Sequence, residues 1–202
     1  MGLDYCHSMS VCHRDIKADN VLLFDGLKCK LCDFGLAKRK IGGMSSSRHS
    51  AVGTPEFMAP EVTMGLGASF KSDVFSYGMT CLQIIGRRVP DRYRSFADRI
   101  ADSFERISPS SHVTSLRGLI ARCLNSEPNS RPFANDLLSE MQSIVTNICG
   151  PDPRLSSSLS RDKQLVKQLD ETCVQFMTSR LSEVPSSESK SIDSNIPSSR
   201  TS

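Results

Sequence analysis

The stretch His13-Arg14-Asp15-Ile16-Lys17-Ala18-Asp19-Asn20 decides how this sequence is interpreted. It is followed by Asp33-Phe34-Gly35 and later by Ala59-Pro60-Glu61. Any one of these motifs arises by chance, but the three in this order are far more specific. The segment between Asn20 and Asp33 has the alternation and the turn residues of a hairpin. Because a hairpin returns the chain to its starting point, Asp15, Asn20 and Asp33 are expected to share one site.

Together the motifs resemble the C-terminal lobe of a eukaryotic protein kinase, over residues 1–149. The resemblance implies a mainly α fold with a small β-hairpin, which is a fragment of the two-lobed α+β kinase fold. In that family a glycine-rich loop and a strand lysine precede the catalytic aspartate, but only fourteen residues precede Asp15. We therefore expect a partial kinase domain that lacks the N-terminal lobe.

The resemblance implies a role for each polar residue in phosphoryl transfer, with ATP and Mg²⁺ as cofactors. Asp15, Lys17 and Asn20 form the expected catalytic set. Asp15 would accept the proton of the substrate hydroxyl, and Lys17 would neutralise charge on the γ-phosphate. Asn20 and Asp33 would bind Mg²⁺ and, through it, the nucleotide. Leu22 resembles the floor of the adenine pocket.

Lys17 also indicates the class of substrate. Serine/threonine kinases resemble this chain in placing a lysine two residues after the catalytic aspartate, whereas tyrosine kinases usually differ there. Residues 53–61 resemble the serine/threonine form, in which Thr54 braces Asp15 and Lys17; a phosphorylation site is the alternative interpretation of Thr54. Proteins with Ser or Thr acceptors are the expected substrates. Residues 122–132 resemble the tyrosine-kinase-like group of these kinases.

The remaining family positions belong to the activation segment or to structural support. Arg14 would contact a phosphate on the activation segment. The candidate phosphate acceptors, which also suit a solvated linker, are Ser45, Ser46, Ser47 and Ser50. Glu61 is expected to form a buried pair with Arg131, and Asp73 is expected to anchor the backbone of the catalytic loop. The positions with structural roles are His13, Phe34, Gly35, Glu61, Asp73 and Arg131.

Composition limits the other functions open to the chain. Its 202 residues, 38% hydrophobic and 23% charged, suffice for one sizeable core and a tail. A net charge of +3 gives no reason to expect nucleic acid as a partner. The sequence has no apolar run of about 18 residues, so no membrane span is expected.

The eight cysteines are scattered along the chain. Cys29 and Cys32 fall in one predicted strand, where residues three apart face opposite sides, and this disfavours a shared zinc ion. We expect reduced, mostly buried thiols, which implies an intracellular, cytoplasmic setting. Cys32 immediately precedes Asp33 and, by resemblance, lies against the nucleotide pocket.

Apolar periodicity predicts the helices of the C-terminal half. A helix capped by Ser72 has apolar residues nearly all round, as expected at the centre of a core. Residues 116–124 and 133–148 also have helical spacing. A short helix is predicted at residues 61–64. Residues 36–58 show little periodicity, which indicates a long loop.

The composition changes towards Ser, Pro and charge after residue 149. We therefore divide the chain into the partial kinase domain, residues 1–149, and a tail, residues 150–202. One more helix is predicted over residues 163–181. Residues 186–202 have almost nothing to bury and are expected to be disordered.

Three interpretations of such a chain are open at this point. It is a fragment of an active kinase, a truncated non-catalytic interaction module, or one part of a kinase completed by a second polypeptide. Intact Asp15, Lys17, Asn20 and Asp33 favour an enzymatic origin, because binding alone has no chemical need for all four. With half of the cleft missing, the chain alone is expected to phosphorylate nothing.

Overall fold

The computed structural model describes residues 2–24, 28–39 and 52–149. They form a mainly helical fold with small antiparallel sheets, which confirms the predicted mainly α class with a hairpin. The helices are α1 Gly2–Ser8, α2 Pro60–Thr63, α3 Phe70–Gly86, α4 Phe96–Phe104, α5 Ser111–Cys123 and α6 Ala134–Cys149. The strands are β1 Val11–Cys12, β2 Val21–Phe24, β3 Lys28–Leu31 and β4 Lys38–Arg39. The helix predicted over residues 163–181 and the disorder expected for residues 186–202 lie outside the described residues.

Helix α3 is the centre of the fold because its sequence is apolar on nearly every side. Four of its side chains are at most 1% exposed, namely Val74, Phe75, Met79 and Leu82. The helix begins one turn earlier than predicted, with Ser69 and not Ser72 as its cap. The Ser69 hydroxyl accepts from the Ser72 amide at 3.3 Å, and the Ser72 hydroxyl accepts from the Ser69 amide at 2.8 Å. Ser72 is therefore the third residue of a reciprocal capping box.

Two apolar clusters pack against α3. One joins it to α2, α4 and the turn Pro55–Phe57, through buried residues that include Phe57, Phe75, Ile100 and Phe104. The other joins it to α5 and α6, through Val74, Leu119, Cys123, Leu137 and Ile144. The loop of residues 13–20, whose first two amides donate to Asp73 of α3, is thus attached to a helix that is packed on several sides.

The two sheets bring the polar motifs together. Strands β2 and β3 pair antiparallel with Val21 opposite Leu31 and Phe24 opposite Lys28, as the hairpin pattern predicts. Strands β1 and β4 pair with Cys12 opposite Lys38, a contact with no sequence signal because two-residue strands have no measurable alternation. This second pairing holds the start of the loop at His13 beside the segment that follows Asp33.

Helix α4 is not predicted by the sequence either. Its apolar residues Phe96, Ile100 and Phe104 have helical spacing, but nine residues are fewer than the stretch in which a helical period is usually recognised. The Ser95 hydroxyl caps it by accepting from the Asp98 amide at 3.1 Å. Arg99 is buried at 8% exposure, which is unusual for this residue type.

Two helical glycines allow a paired test of the packing. A Cβ added at Gly118 in α5 would have no neighbour within 4 Å, whereas at Gly78 in α3 it would lie 2.9 Å from Cys123 Cβ. We expect Gly118→Ala to raise the free energy of unfolding by about 0.5–1 kcal/mol through helix propensity. Gly78→Ala should lower it by about 1–3 kcal/mol through overpacking. Urea unfolding of both variants measures this, and a Gly78→Ala protein as stable as Gly118→Ala would show that the α3–α5 contact is looser than described.

The described cysteines are free thiols. Burial raises the pKa of Cys6 and Cys81 to about 11 and that of Cys123 to about 12, so these thiols are protonated at neutral pH. Cys29 is exposed and Cys32 is half-buried. Within the three described ranges, no helix is long and apolar enough to cross a membrane.

Candidate active site

The carboxylate of Asp15 is the centre of the site. Its Oδ1 accepts from the Thr54 amide at 2.9 Å and from the Thr54 hydroxyl at 2.7 Å. Its Oδ2 accepts from the Asn20 amide nitrogen at 3.1 Å and lies 3.0 Å from Lys17 Nζ. A carboxylate offers about four acceptor positions, so all of them are used. The carboxylate is held in one orientation by donors from three residues.

Lys17 and Thr54 form a directed chain of hydrogen bonds towards Asp15. Lys17 Nζ donates to Thr54 Oγ1 at 2.7 Å, which leaves the single hydroxyl proton of Thr54 for Asp15. Gly53 has φ of +125°, and a Cβ there would lie 2.6 Å from the Arg14 carbonyl oxygen. Only glycine permits the backbone of residues 53–54 to approach the loop of residues 13–20 so closely.

The same contacts set the protonation of Asp15. Burial by itself raises the pKa of this carboxyl, but the hydrogen bonds from Thr54 and Lys17, with the Lys17 charge, lower the pKa below its ordinary value. Because the folded pKa lies below the unfolded value of about 3.9, the ionised carboxylate stabilises the fold at higher pH. That stabilisation is lost as the pH falls through the folded pKa.

Removing the Thr54 hydroxyl tests this arrangement. Thr54→Val keeps the backbone donor but loses the hydroxyl bond, so we expect the pKa of Asp15 to rise towards about 3.9. A ¹³C NMR titration of the Asp15 carboxyl carbon measures the shift. Thr114→Val, at an exposed position of α5, is the matched control. Equal titration of Asp15 in both variants and the wild type would contradict the prediction.

Asp73 of α3 holds the backbone of the loop in place. It is 1% exposed; its Oδ2 accepts from the His13 amide at 2.8 Å, and its Oδ1 accepts from the Arg14 amide at 2.9 Å. Arg14 has φ of +72°, a conformation that costs a non-glycine residue free energy. His7 Nε2 also lies 3.0 Å from Asp73 Oδ2. The sequence gives no sign of this histidine, because a lone His in a short helix carries no spacing pattern.

His13 connects the loop to the Asp33 segment. Its ring is fully buried, and Nε2 lies 3.0 Å from the Cys32 carbonyl oxygen. Since a carbonyl only accepts, Nε2 carries the proton, and Nδ1 accepts from the Asp15 amide at 3.4 Å. The Phe34 ring packs edge-on against His13 with centroids 4.8 Å apart.

Asn20 and Asp33 lie on adjacent backbone segments. The Cys32 amide donates to the Asn20 carbonyl at 2.9 Å, which places Asp33 one residue beyond that contact. Asp33 is exposed, and its backbone has a left-handed conformation with φ of +58°. Its Oδ1 accepts from the Gly35 amide at 3.2 Å. The Asn20 amide nitrogen donates to both the carbonyl and the carboxylate of Asp15. The amide oxygen of Asn20 is therefore the atom available for a cation.

A buried ion pair between Arg131 and Glu61 supports the part of the fold that carries the site. Arg131 is 2% exposed and donates to the two carboxylate oxygens of Glu61 at 2.7 and 2.8 Å. The remaining donors of Arg131 reach the carbonyls of Asn125 at 2.7 Å and Lys71 at 2.9 Å. This bidentate pair ties α2 to the start of α3 and to the loop before α6.

The fold and the site geometry agree with one known family. Residues 1–142 match the protein kinase domain. The chain belongs to the protein kinase family.

Its kinase relatives include proteins with several named specificities. The chain is 35% identical over 161 residues to the dual specificity protein kinase shkA of Dictyostelium discoideum, covering 75% of the chain and 31% of the relative. It is 33% identical to the serine/threonine-protein kinase TAO1-A of Xenopus laevis, covering 84% of the chain and 17% of the relative. A probable serine/threonine-protein kinase of Dictyostelium discoideum is 32% identical, covering 75% and 37%. The chain thus spans little more than a third of these relatives, or less.

Kinases as a family use ATP and Mg²⁺, and the residues present fit these groups. Among the described residues, no cluster of three or more His, Cys, Asp or Glu could hold a metal by itself. Phosphate-bound Mg²⁺ requires only one or two protein oxygen ligands, because phosphates and water supply the others. Asn20 and Asp33 offer such oxygens. Leu22 is 46% exposed on β2, where a nucleotide base could cover it.

The remaining expected positions fall into two groups, those outside the described residues and those with a contact in the structure. Ser45, Ser46, Ser47 and Ser50 lie outside the described residues, so the activation-segment assignments rest on sequence alone. Arg14 is half-buried beside Asp73. Gly35 contributes its amide to Asp33, and Phe34 packs on His13.

Proposed function

We propose that residues 1–149 form the C-terminal lobe of a serine/threonine protein kinase, which transfers the γ-phosphoryl group of ATP to Ser or Thr hydroxyls of proteins. The observation that carries this proposal is the contact of Lys17 and Thr54 with the Asp15 carboxylate. A threonine in this position and a lysine two residues after the aspartate are typical of the serine/threonine class. Two of the three relatives described above are named as serine/threonine kinases, and the third is named as a dual specificity kinase.

Asp15 binds and orients the acceptor hydroxyl in this proposal. The hydrogen bonds that lower its pKa favour the ionised carboxylate, which is the form that accepts the hydroxyl proton. The four donors now occupy its oxygens. Lys17 is the donor able to leave, because a flexible ammonium that turns towards a phosphate opens one position on Oδ2. Substrate binding then replaces one hydrogen bond by another and leaves the Thr54 contacts in place.

Asn20 and Asp33 would hold Mg²⁺ on the nucleotide side of Asp15. A metal held there would neutralise the charge that develops on the phosphates during transfer. The two hydrogen bonds from Asn20 to Asp15 couple the metal ligand to the catalytic carboxylate. His13 couples the segment of Asp33 to the same loop. These contacts therefore fix Asp15 relative to the residues that would hold the metal.

The test uses a fusion in which the nucleotide-binding lobe of a related serine/threonine kinase precedes Met1. Incubation with labelled ATP, Mg²⁺ and a generic protein substrate, followed by phosphoamino acid analysis, should yield phosphoserine or phosphothreonine. Asp33→Asn in the same fusion should abolish the signal. Phosphotyrosine alone would contradict the serine/threonine class. A folded fusion that binds ATP but transfers nothing would favour the non-catalytic interaction module.

A further inference from the structure

The loop between α3 and α4 concentrates positive charge. Residues 87–94 read Arg-Arg-Val-Pro-Asp-Arg-Tyr-Arg, with four arginines against one aspartate, while the whole 202-residue chain has a net charge of only +3. All four arginines are exposed. We call residues 87–94 the arginine loop. It has no part in the catalytic geometry described above.

Arg99 holds the arginine loop in a fixed shape. Its side chain is buried, and its guanidinium donates to the carbonyls of Arg94, at 3.0 Å, and of Arg92. It also lies over the Phe96 ring, 5.0 Å from the centroid. Inside the loop, the Tyr93 amide donates to Asp91 Oδ1 at 2.9 Å. Because this buried arginine donates to backbone carbonyls of the loop, the loop has a preformed shape. A preformed shape lowers the entropy cost of binding a partner.

The arginines differ in how far their charges are already neutralised. Arg88 and Arg94 both contact the Asp102 carboxylate. Arg87 and Arg92 form no ion pair with a carboxylate in the part of the chain that the structure describes. Arg92 lies beside the ring of Tyr93, with its guanidinium carbon 5.6 Å from the centroid. Two exposed guanidinium groups thus remain available for carboxylates or phosphates, to which their planar fork binds in bidentate fashion.

Exposed apolar side chains accompany these charges. Tyr93 is 89% exposed and Val89 is 48% exposed. Tyrosine and arginine are among the residue types most enriched in the energetic centres of protein interfaces. A nucleic acid or an anionic membrane would require a wider basic surface than this one loop, and the small net charge does not provide it.

We propose that the arginine loop is a docking site for an acidic segment of a protein partner, whose carboxylates or phosphates pair with Arg87 and Arg92 while Tyr93 packs on its apolar atoms. The shared chemistry is an anionic peptide. The loop leads into α4, whose residues Ile100 and Phe104 belong to the same apolar cluster as Phe57 of the Pro55–Phe57 turn. The site is independent of phosphoryl transfer, so binding is measurable whether or not the chain is catalytic.

The test measures fluorescence anisotropy of labelled peptides with the full chain. One peptide is glutamate-rich, a second has phosphoserines in place of the glutamates, and a third has glutamines. We expect saturable binding of at least one of the anionic peptides and none of the glutamine peptide. Binding should weaken as the ionic strength rises from about 0.05 to about 0.3 M.

A double variant identifies the residues responsible. Arg87 directly follows α3 and has φ of +54°, where glycine is unstrained, so Arg87→Gly removes charge without weakening the helix end. Arg92→Gln keeps the carbonyl that Arg99 binds. Together they should raise the Kd about tenfold or more. Arg106→Gln with Arg117→Gln removes the same charge from exposed positions outside the loop and should change the Kd by less than about threefold.

Three results would overturn the proposal. One is the absence of saturable binding of both anionic peptides up to about 1 mM. Another is an equal loss of affinity in the two double variants, when thermal unfolding shows that both are folded. The third is tighter binding of the chain to a DNA duplex or to anionic phosphatidylserine vesicles than to either peptide.

Discussion

Replacing Asp15 with asparagine is expected to lower turnover by about 10²–10⁴-fold, the scale of a positioned general base. The measurement uses the fusion that supplies a nucleotide-binding lobe. Asparagine preserves the shape of the side chain and can still accept from Thr54. It cannot take a proton from the acceptor hydroxyl or pair with Lys17, which lies 3.0 Å from Oδ2 in the wild type. The affinity for ATP should change little, because Asp15 is assigned to the hydroxyl and not to the nucleotide.

Asp19→Asn is the matched control for this experiment. Asp19 is an exposed residue of the same loop, and its replacement by asparagine removes the same charge. Its turnover should stay within about twofold of the wild type, a change of about 0.4 kcal/mol in the barrier, because the Asp19 side chain is assigned no contact with substrate, nucleotide or metal. Turnover of Asp15→Asn within the same range would remove Asp15 from the mechanism. A parallel loss of ATP affinity would instead point to a distorted cleft.

The second large effect is expected in the buried ion pair. Glu61→Gln leaves the Arg131 guanidinium, whose side chain is 0% exposed, without its counter-charge. Removing one partner of a buried pair typically costs about 3–5 kcal/mol of stability. We therefore expect the urea midpoint of the variant to fall steeply, or the variant to be unfolded at room temperature. The neutral amide keeps at most part of the bidentate contact.

The chain contains an exposed pair for direct comparison. Arg122 and Glu140 form an ion pair between α5 and α6, with side chains 50% and 42% exposed. Glu140→Gln makes the same chemical change and should cost about 0–1 kcal/mol. Similar losses in the two variants would mean that burial does not govern the Glu61–Arg131 contact. Adding Arg131→Met to Glu61→Gln should recover part of the stability, because the unpaired charge is then absent.

Local patterns account for the parts of the fold that were predicted correctly. The apolar residues around α3, the helical spacing of α6 and the alternation of β2 and β3 all lie within stretches of at most 17 residues. Such patterns depend on the period of a helix or a strand. Each can therefore be recognised within its own segment, without knowledge of the residues that the segment packs against. The cap of α3 was misplaced by one turn because Ser69 and Ser72 are both good caps. Only the backbone at Ser69, which is extended, distinguishes them.

The sequence by itself determined the chemical groups of the candidate site. Asp15, Lys17 and Asn20 fall within six residues, so their proximity follows from the chain. The contact of Thr54 with Asp15 and that of Arg131 with Glu61 were predicted only through a family resemblance. Thr54 lies 39 residues from Asp15, and Arg131 lies 70 residues from Glu61. No local period connects such positions.

Tertiary structure alone decided which residues hold those groups in place. His7 meets Asp73 across 66 residues, β1 pairs with β4, and Arg99 is buried under the arginine loop. Each contact depends on how helices and strands pack after they form, which involves distant side chains and the shape of the space between them. The sequence therefore specified the reactive groups, and packing specified their orientation, their protonation and the surface beside them.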